Sequence, residues 1–271
     1  MDFRRTMTET AVPLALAGRH ALITGGTRGL GLGLARSLAL AGARVSLVGR
    51  DVATGEAAVA MLAGEGLVVR AYVGDVADAG SIAAAVRAAE AAQGPIDILV
   101  CAAGVGAPHR PVWEATPEDY RGCFDINVLG VVNAMAAAMP GMIARRAGRV
   151  VAIGGTYGHK GVAGFSLYAA SKWALRGLIR SAALDAAPHE VRVNIISPGG
   201  VEGERLTRMF RESAARNGEP EGAPLQRFLA TTTLGRLVGP DDVAAALLHL
   251  VGPGGRMITG QDILVDAGTV I

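Results

Sequence analysis

Tyr168 and Lys172 stand four residues apart in the segment SLYAASKWAL. On a helix, residues at that spacing share one face. A phenol ordinarily keeps its proton up to about pH 10, and a neighbouring ammonium favours the phenolate. Such a pair can pass a proton to an alkoxide or take one from an alcohol. A second chemical signal lies near the start of the chain. The run TGGTRGLG, Thr24 to Gly31, places Gly25, Gly29 and Gly31 after an apolar strand and at the opening of a helix. Side chains at those glycines would block the turn or hold the backbone away from a pyrophosphate. The helix start offers free amides and a positive dipole end. A Gly-rich turn alone says little, but between a strand and a helix it points to a dinucleotide.

Charge near the adenosine ribose selects the dinucleotide. The second strand ends VSLVGRD. A carboxylate at its tip would bind the ribose hydroxyls of NAD and repel a ribose phosphate. Gly49 occupies the tip, Arg50 follows, and Arg28 sits inside the glycine turn. Two guanidiniums can grip a phosphate through fork-like, charge-assisted hydrogen bonds. The expected cofactor is therefore NADP(H). Asp51 would reach the ribose only if the strand ended one residue later.

These groups need a scaffold, and the hydrophobic pattern supplies one. Buried strands are expected at 21–23, 44–48, 67–73, 96–101, 149–153, 191–196 and 262–265. Helices are expected at 29–41, 52–63, 81–92, 117–137, 168–186 and 241–250. Continuous apolar strands separated by helices imply a parallel sheet covered on both faces. The right-handed crossover rule then gives a doubly wound α/β Rossmann fold of about seven strands. Residues 1–16 read as a loose arm and 17–271 as a single domain, without linker or repeat. The stretch 202–233 breaks the rhythm. It is polar, carries Arg205, Arg208, Arg211 and Arg216, and reads as a lid or as a surface excursion.

Composition narrows the partners. About half of the 271 residues are apolar, 18% are charged and the net charge is +2. No like-charge block suggests nucleic acid. No signal peptide and no run of about 18 uninterrupted apolar residues are found, so a soluble cytoplasmic protein is expected. Cys101 and Cys123 lack metal-motif spacing and are expected reduced and buried. No metal is expected.

The chain resembles the short-chain dehydrogenase/reductase family from about Leu16 to Gly268. The landmarks come in family order: TGGTRGLG, GDV (Gly74–Val76), CAAG (Cys101–Gly104), INVLG (Ile126–Gly130), YAASK (Tyr168–Lys172), SPGG (Ser197–Gly200) and VDAG (Val265–Gly268). The resemblance implies that Tyr168 exchanges the proton with substrate oxygen. Lys172 would hold the nicotinamide ribose and assist the phenol. Asn127 would hold a water of a proton relay, although it could merely satisfy buried backbone. Thr27, Arg28 and Leu30 would join the glycines around the phosphates. Asp75 and Val76 would contact adenine, unless Asp75 only caps the next segment. Ala103 and Gly104 would line the cofactor, and Pro198, Gly199 and Val201 would flank the nicotinamide. A small carbonyl or alcohol substrate and a homotetramer or homodimer are implied. Packing in the assembly would fall to the fifth helix with Trp173 and the last strand with Ile263 and Val265.

Three positions depart from the family. The usual serine, thirteen residues before the tyrosine, is Gly155. Losing such a donor costs roughly 10²–10³ in rate. Thr156 could supply the hydroxyl if the strand bends. Tyr157, His159 or the substrate could replace it. The third option is a weak or inactive catalyst. The asparagine pair after the fourth strand is Cys101-Ala102, and the threonine after the Pro-Gly turn is Gly203. The leading expectation is a ketoreductase or alcohol dehydrogenase using NADP(H), with sugar-acid, polyol and 3-oxoacyl substrates all open. A nucleotide-binding sensor and non-redox elimination are the other classes.

Overall fold

Apolar runs such as ALI at 21–23 and ILVC at 98–101 form strands whose residues are buried along their whole length. That burial requires cover on both faces of the sheet. The computed structural model describes residues 15–271. Its chain order is β1 (His20–Thr24), α1 (Gly29–Leu40), β2 (Arg44–Gly49), α2 (Val52–Gly64), β3 (Val69–Val73), α3 (Ala79–Gln93) and β4 (Ile98–Cys101). Then follow α4 (Pro117–Phe124), α5 (Gly130–Arg145), β5 (Gly148–Ile153), α6 (Ser166–Ala186) and β6 (Val191–Pro198). The chain closes with α7 (Glu204–Asn217), α8 (Ala223–Leu229), α9 (Pro240–Val251) and β7 (Asp262–Val265).

The seven strands form one parallel sheet in the order β3-β2-β1-β4-β5-β6-β7. Leu34 and Leu38 of α1, Leu62 of α2 and Leu247 of α9 fill one face. Ile82 of α3, Met142 of α5 and Leu175 of α6 fill the other. The order reverses between β1 and β4, so their carboxyl ends part into a crevice. The expected doubly wound Rossmann fold is therefore the fold observed.

The structure adds detail at three places. The helix expected over 117–137 is broken by a π-helical turn at Asp125–Leu129 and continues to Arg145. That turn carries Asn127 with 1% exposure, and π-turns of this kind gather at functional sites. By length and composition Pro117–Arg145 could cross a membrane, but Val131, Ala134, Ala138 and Met142 bury its apolar side in the core. The expected arm lies outside the described residues up to position 14. Leu16 at its end is 2% exposed and donates its N–H to the Ala41 carbonyl at 2.9 Å, so this residue belongs to the core. The segment 202–233 folds into two helices, α7 and α8, joined by the Phe210–Phe228 contact.

Beneath the sheet's amino end lies a fully buried polar chain. Gln93 Nε2 donates to Ser46 Oγ at 2.6 Å, and His20 meets Ser46 Oγ at 2.8 Å and the Gly94 carbonyl at 2.7 Å. A carbonyl can only accept, so Nδ1 carries the proton and Nε2 accepts from the Ser46 hydroxyl. Burial pushes the His20 pKa below its ordinary 6.5. The folded state thus holds His20 neutral, while the unfolded chain takes up a proton below about pH 6.5. Stability from this group is complete above that pH and falls below it, by at most about 1.4 kcal/mol per pH unit. Thermal melts from pH 7.5 to 5.0 should show a shallower acid slope for His20→Gln than for the parent chain, and equal slopes would refute this assignment.

Candidate active site

The turn after β1 is built to receive an anion. Asp51, Asp78 and Thr116 cap α2, α3 and α4 with their side chains, whereas α1 has no side-chain cap at Arg28. The amides of Thr27 through Gly31 donate to no internal acceptor among the described residues. Free amides at a helix start favour phosphate. Gly25 and Gly29 have positive φ, 67° and 55°. A Cβ at Gly25 would lie 2.7 Å from Ala103 Cα, and one at Gly31 would overlap the Gly25 carbonyl oxygen. Leu30 packs against the α1–α9 core. These contacts hold Ala103 against the turn and fit a dinucleotide.

At the tip of β2, a Cβ on Gly49 would lie 2.8 Å from Thr27 Oγ1. Arg28 and Arg50 are exposed, and neither forms an ion pair among the described residues. Asp51 is occupied elsewhere. Its carboxylate accepts from Thr54 N at 2.7 Å, and that bond, the Thr54 hydroxyl and then Arg28 hold it below the usual carboxylate range. Asp75 Oδ1 accepts from Ala77 N at 3.0 Å, so half of its carboxylate caps a turn. The Val76 side chain is buried against Gly130, and its carbonyl accepts from Asn133 Nδ2 at 2.8 Å. Its N–H has no internal acceptor among the described residues. Any Val76 contact with a base must therefore run through the main chain, not the side chain.

Tyr168 and Lys172 lie on the first turns of α6. Lys172 is 5% exposed, with Nζ 5.6 Å from the Tyr168 ring centre and donating to the Ile153 carbonyl at 3.1 Å. Gly104 opens this chamber, since a Cβ there would sit 3.5 Å from Asn127 Oδ1 and 3.9 Å from Lys172 Nζ. Asn127 is a hub. Its Oδ1 accepts from Val105 N at 2.8 Å, and its Nδ2 donates to the Val105 carbonyl at 3.0 Å and to Ser171 Oγ at 3.0 Å. Ser171 Oγ donates to the Tyr168 carbonyl at 2.7 Å. Ser171 and Val105 went unnoticed in the sequence, because neither position follows a chemical spacing rule. Opposite, Pro198 ends β6, and Gly199 donates to the Val265 carbonyl at 2.9 Å. A Cβ on Gly199 would lie 2.9 Å from Asp266 Cα, and Val201 bridges Val238.

Comparison with known proteins decides the family. Residues 19–215 match the model of the short chain dehydrogenase family. The chain belongs to the short-chain dehydrogenase/reductase family. It is 34% identical to galactitol 2-dehydrogenase of Agrobacterium fabrum over 94% of this chain and 98% of that protein. It is 35% identical to the granaticin polyketide synthase putative ketoacyl reductase 1 of Streptomyces violaceoruber, over 97% of each. Among solved structures, an actinorhodin polyketide ketoreductase variant with NADPH superposes with a TM-score of 0.89 at 29% identity, covering 93% of this chain and 97% of that one. An NAD+-bound xylitol dehydrogenase gives 0.89 at 27% identity, covering 93% and 99%. The chain is thus an oxidoreductase of the dehydrogenase/reductase type.

As a member of this family the protein departs at the serine position, and the geometry shows how. A Cβ built on Gly155 would meet Tyr168 Oη at 4.0 Å and the Pro198 carbonyl at 3.8 Å, ordinary contact distances, but the backbone there, φ 157° and ψ 158°, is one that glycine alone adopts readily. Thr156 begins a short 3-10 turn, is 6% exposed, and its hydroxyl bonds to no described residue. Tyr157 is the neighbour that touches Tyr168, ring edge to ring face at 5.6 Å and 74°. Burial, and then the nearby Tyr168, push the Tyr157 phenol up and keep it protonated. His159 is turned away, with Nε2 2.9 Å from Asp262 Oδ2. The Cys101-Ala102 pair keeps the sheet tied through backbone, Ala102 N donating to the Thr24 carbonyl at 3.1 Å. Both cysteines are buried and free, and burial raises the Cys101 thiol to about 12.

The crowding at Gly31 sets a test. Gly31→Ala should weaken binding of a reduced nicotinamide dinucleotide by about tenfold or more, given the loss of close backbone approach. Fluorescence titration measures it, with circular dichroism to verify the fold, and an unchanged affinity would remove the turn from the site.

Proposed function

We propose that this protein is an NADP(H)-dependent oxidoreductase interconverting a ketone and a secondary alcohol. The observation that carries the reading is the enclosed Tyr168–Lys172 pair beside Gly104, at the end of a crevice that starts in an uncapped Gly-rich turn. Bound there, a nicotinamide cofactor supplies or accepts hydride. The chain's own residues do the remainder. The amides of Thr27 to Gly31 hold phosphate, and the Val76 N–H serves the base. Tyr168 Oη gives its proton to the substrate oxygen during reduction and takes it back during oxidation. Lys172 compensates charge on that oxygen while the proton moves, and also holds the ribose. Asn127 keeps a relay water next to Lys172.

The two exposed guanidiniums, Arg28 and Arg50, support the choice of NADP(H) over NAD(H). At the β2 tip Gly49 has no side chain, and the Asp51 carboxylate, although it feels Arg28, is engaged as a helix cap and forms no ion pair with it among the described residues. The Arg28→Ala/Arg50→Asp double variant should lose about tenfold or more in NADPH affinity, the scale of a lost charge-assisted contact. Its NADH affinity should move less than threefold or so by the same reasoning. Equal losses for both cofactors would argue against the assignment.

For the missing serine, the arrangement favours Tyr157 as the second donor to substrate oxygen over Thr156. Its ring packs on Tyr168, and its phenol stays protonated. Tyr157→Phe should lower kcat/KM for a ketone by about 10²–10³. Thr156→Ala should change it less than about threefold, far below the loss of a donor. A large effect in Thr156→Ala with none in Tyr157→Phe would exchange the two roles.

The assembly expected for this family fits the exposure of Trp173 on α6, but on β7 Ile263 and Val265, expected to pack in it, lie against the protein's own core, and Leu264 is the exposed residue instead.

A further inference from the structure

The segment after β6 carries arginines with different fates. Arg208 pairs with Glu212 and Arg211 with Glu221, both in the open. On α8, Arg227 grips Glu219 through two nitrogens. These pairs hold α7 and α8 to themselves and leave little charge for a ligand. Arg205, on the first turn of α7, has no carboxylate partner and no hydrogen bond among the described residues. Glu202 and Glu204, exposed on the same segment, do not pair with it.

Its guanidinium reaches across the crevice instead. Arg205 Nη2 lies 3.6 Å from the position a Cβ would take at Gly106. Gly106 is two residues beyond Gly104, the residue that faces Asn127 and Lys172. Two residues of chain span at most about 7 Å, so the Arg205 guanidinium stands against the loop that leads out of the chamber of Tyr168 and Lys172. Cys123 registers the same placement. Burial raises its thiol, while Ser171, Lys172 and Arg205 act in the opposite direction.

A free guanidinium at the mouth of a reaction chamber is suited to a planar oxyanion. We infer that Arg205 recognises an anionic substituent, a carboxylate or phosphate, on the substrate and so sets the substrate class of this enzyme. The inference rests on the ketone–alcohol reading given above. It separates Arg205 from Arg208, Arg211 and Arg227, whose charges are answered by glutamates, and from Arg216, which stands on the last turn of α7, at the opposite end of that helix. Arg28 and Arg50 lie at the other end of the crevice, beside the turn after β1 and the tip of β2, and answer a different phosphate. The substrate's reacting carbon would stand at Tyr168 and its charged end under α7.

Matched pairs test this: keto acids against their methyl esters, and dihydroxyacetone phosphate against dihydroxyacetone. The parent enzyme should favour the anionic member of at least one pair by about tenfold or more, the worth of a charge-assisted contact. Arg205→Gln should erase that preference through KM while leaving NADPH affinity, read by fluorescence, within about twofold. Arg205→Lys should keep part of the preference, because the charge remains and the fork is lost. Absence of any preference in the parent, or an unchanged preference in Arg205→Gln, would overturn the inference. A loss confined to NADPH affinity would also overturn it, by assigning the guanidinium to the cofactor. Calorimetric titration of NADP+-loaded protein with the same anions does not depend on turnover. Anions that bind the parent and not Arg205→Gln, with no ketone reduced, would uphold the recognition role and reject the reaction.

Discussion

The Asn127 side chain holds the reaction chamber together. It grips both the N–H and the carbonyl of Val105, which fixes the loop leaving β4. Through Ser171 it is tied to the Tyr168 carbonyl on α6. One buried amide thus joins three elements that are far apart in the chain. A buried amide must satisfy its donors and acceptor or cost about 1–3 kcal/mol for each group left alone. Here the protein satisfies them with the walls of its site. The π-turn follows from this demand, because it places Asn127 where a continuous helix would give no such reach.

Around that hub, small residues do as much as charged ones. Gly25, Gly31 and Gly199 let main chains approach closer than any side chain would permit. The approach brings Ala103 against the phosphate turn and the Pro198–Gly199 corner against Asp266. Gly154 and Gly155 continue the pattern at the end of β5. A Cβ on Gly154 would press on Ser197 and Ile195, whereas Gly155 lies beside Tyr168 Oη with a positive φ of 157°. The two adjacent glycines therefore have different physical meanings. One is required by packing, and the other by a backbone conformation that side chains disfavour.

Electrostatics divide the crevice into two ends. Arg28 and Arg50 stand at the β2 tip, and Arg205 of α7 stands beside Gly106 on the loop after β4. Most other cations of the 202–233 segment are neutralised by glutamates on the same pair of helices. Exposed pairs of this kind contribute about 0–1 kcal/mol each to stability, so their value is to leave specific guanidiniums unanswered.

The amino-acid sequence by itself determined the layered architecture. Strand-forming apolar runs such as ALI and ILVC, a 3.6-residue period between them, and the turn chemistry at Gly25 to Gly31 are local properties. The Tyr168–Lys172 pair was equally legible, because helical spacing alone places both on one face. Tertiary structure decided what local rules cannot reach. It interrupted the 117–137 helix at Asn127, since the partners that reward the π-turn, Val105 and Ser171, lie 22 and 44 residues away. It buried the Val76 side chain against Gly130 and drew Leu16 into the core. It also placed Tyr157 against Tyr168 and singled out Arg205 from four similar arginines. In each case the deciding contact joins residues distant in sequence, and its energy is only available once the sheet has brought them together.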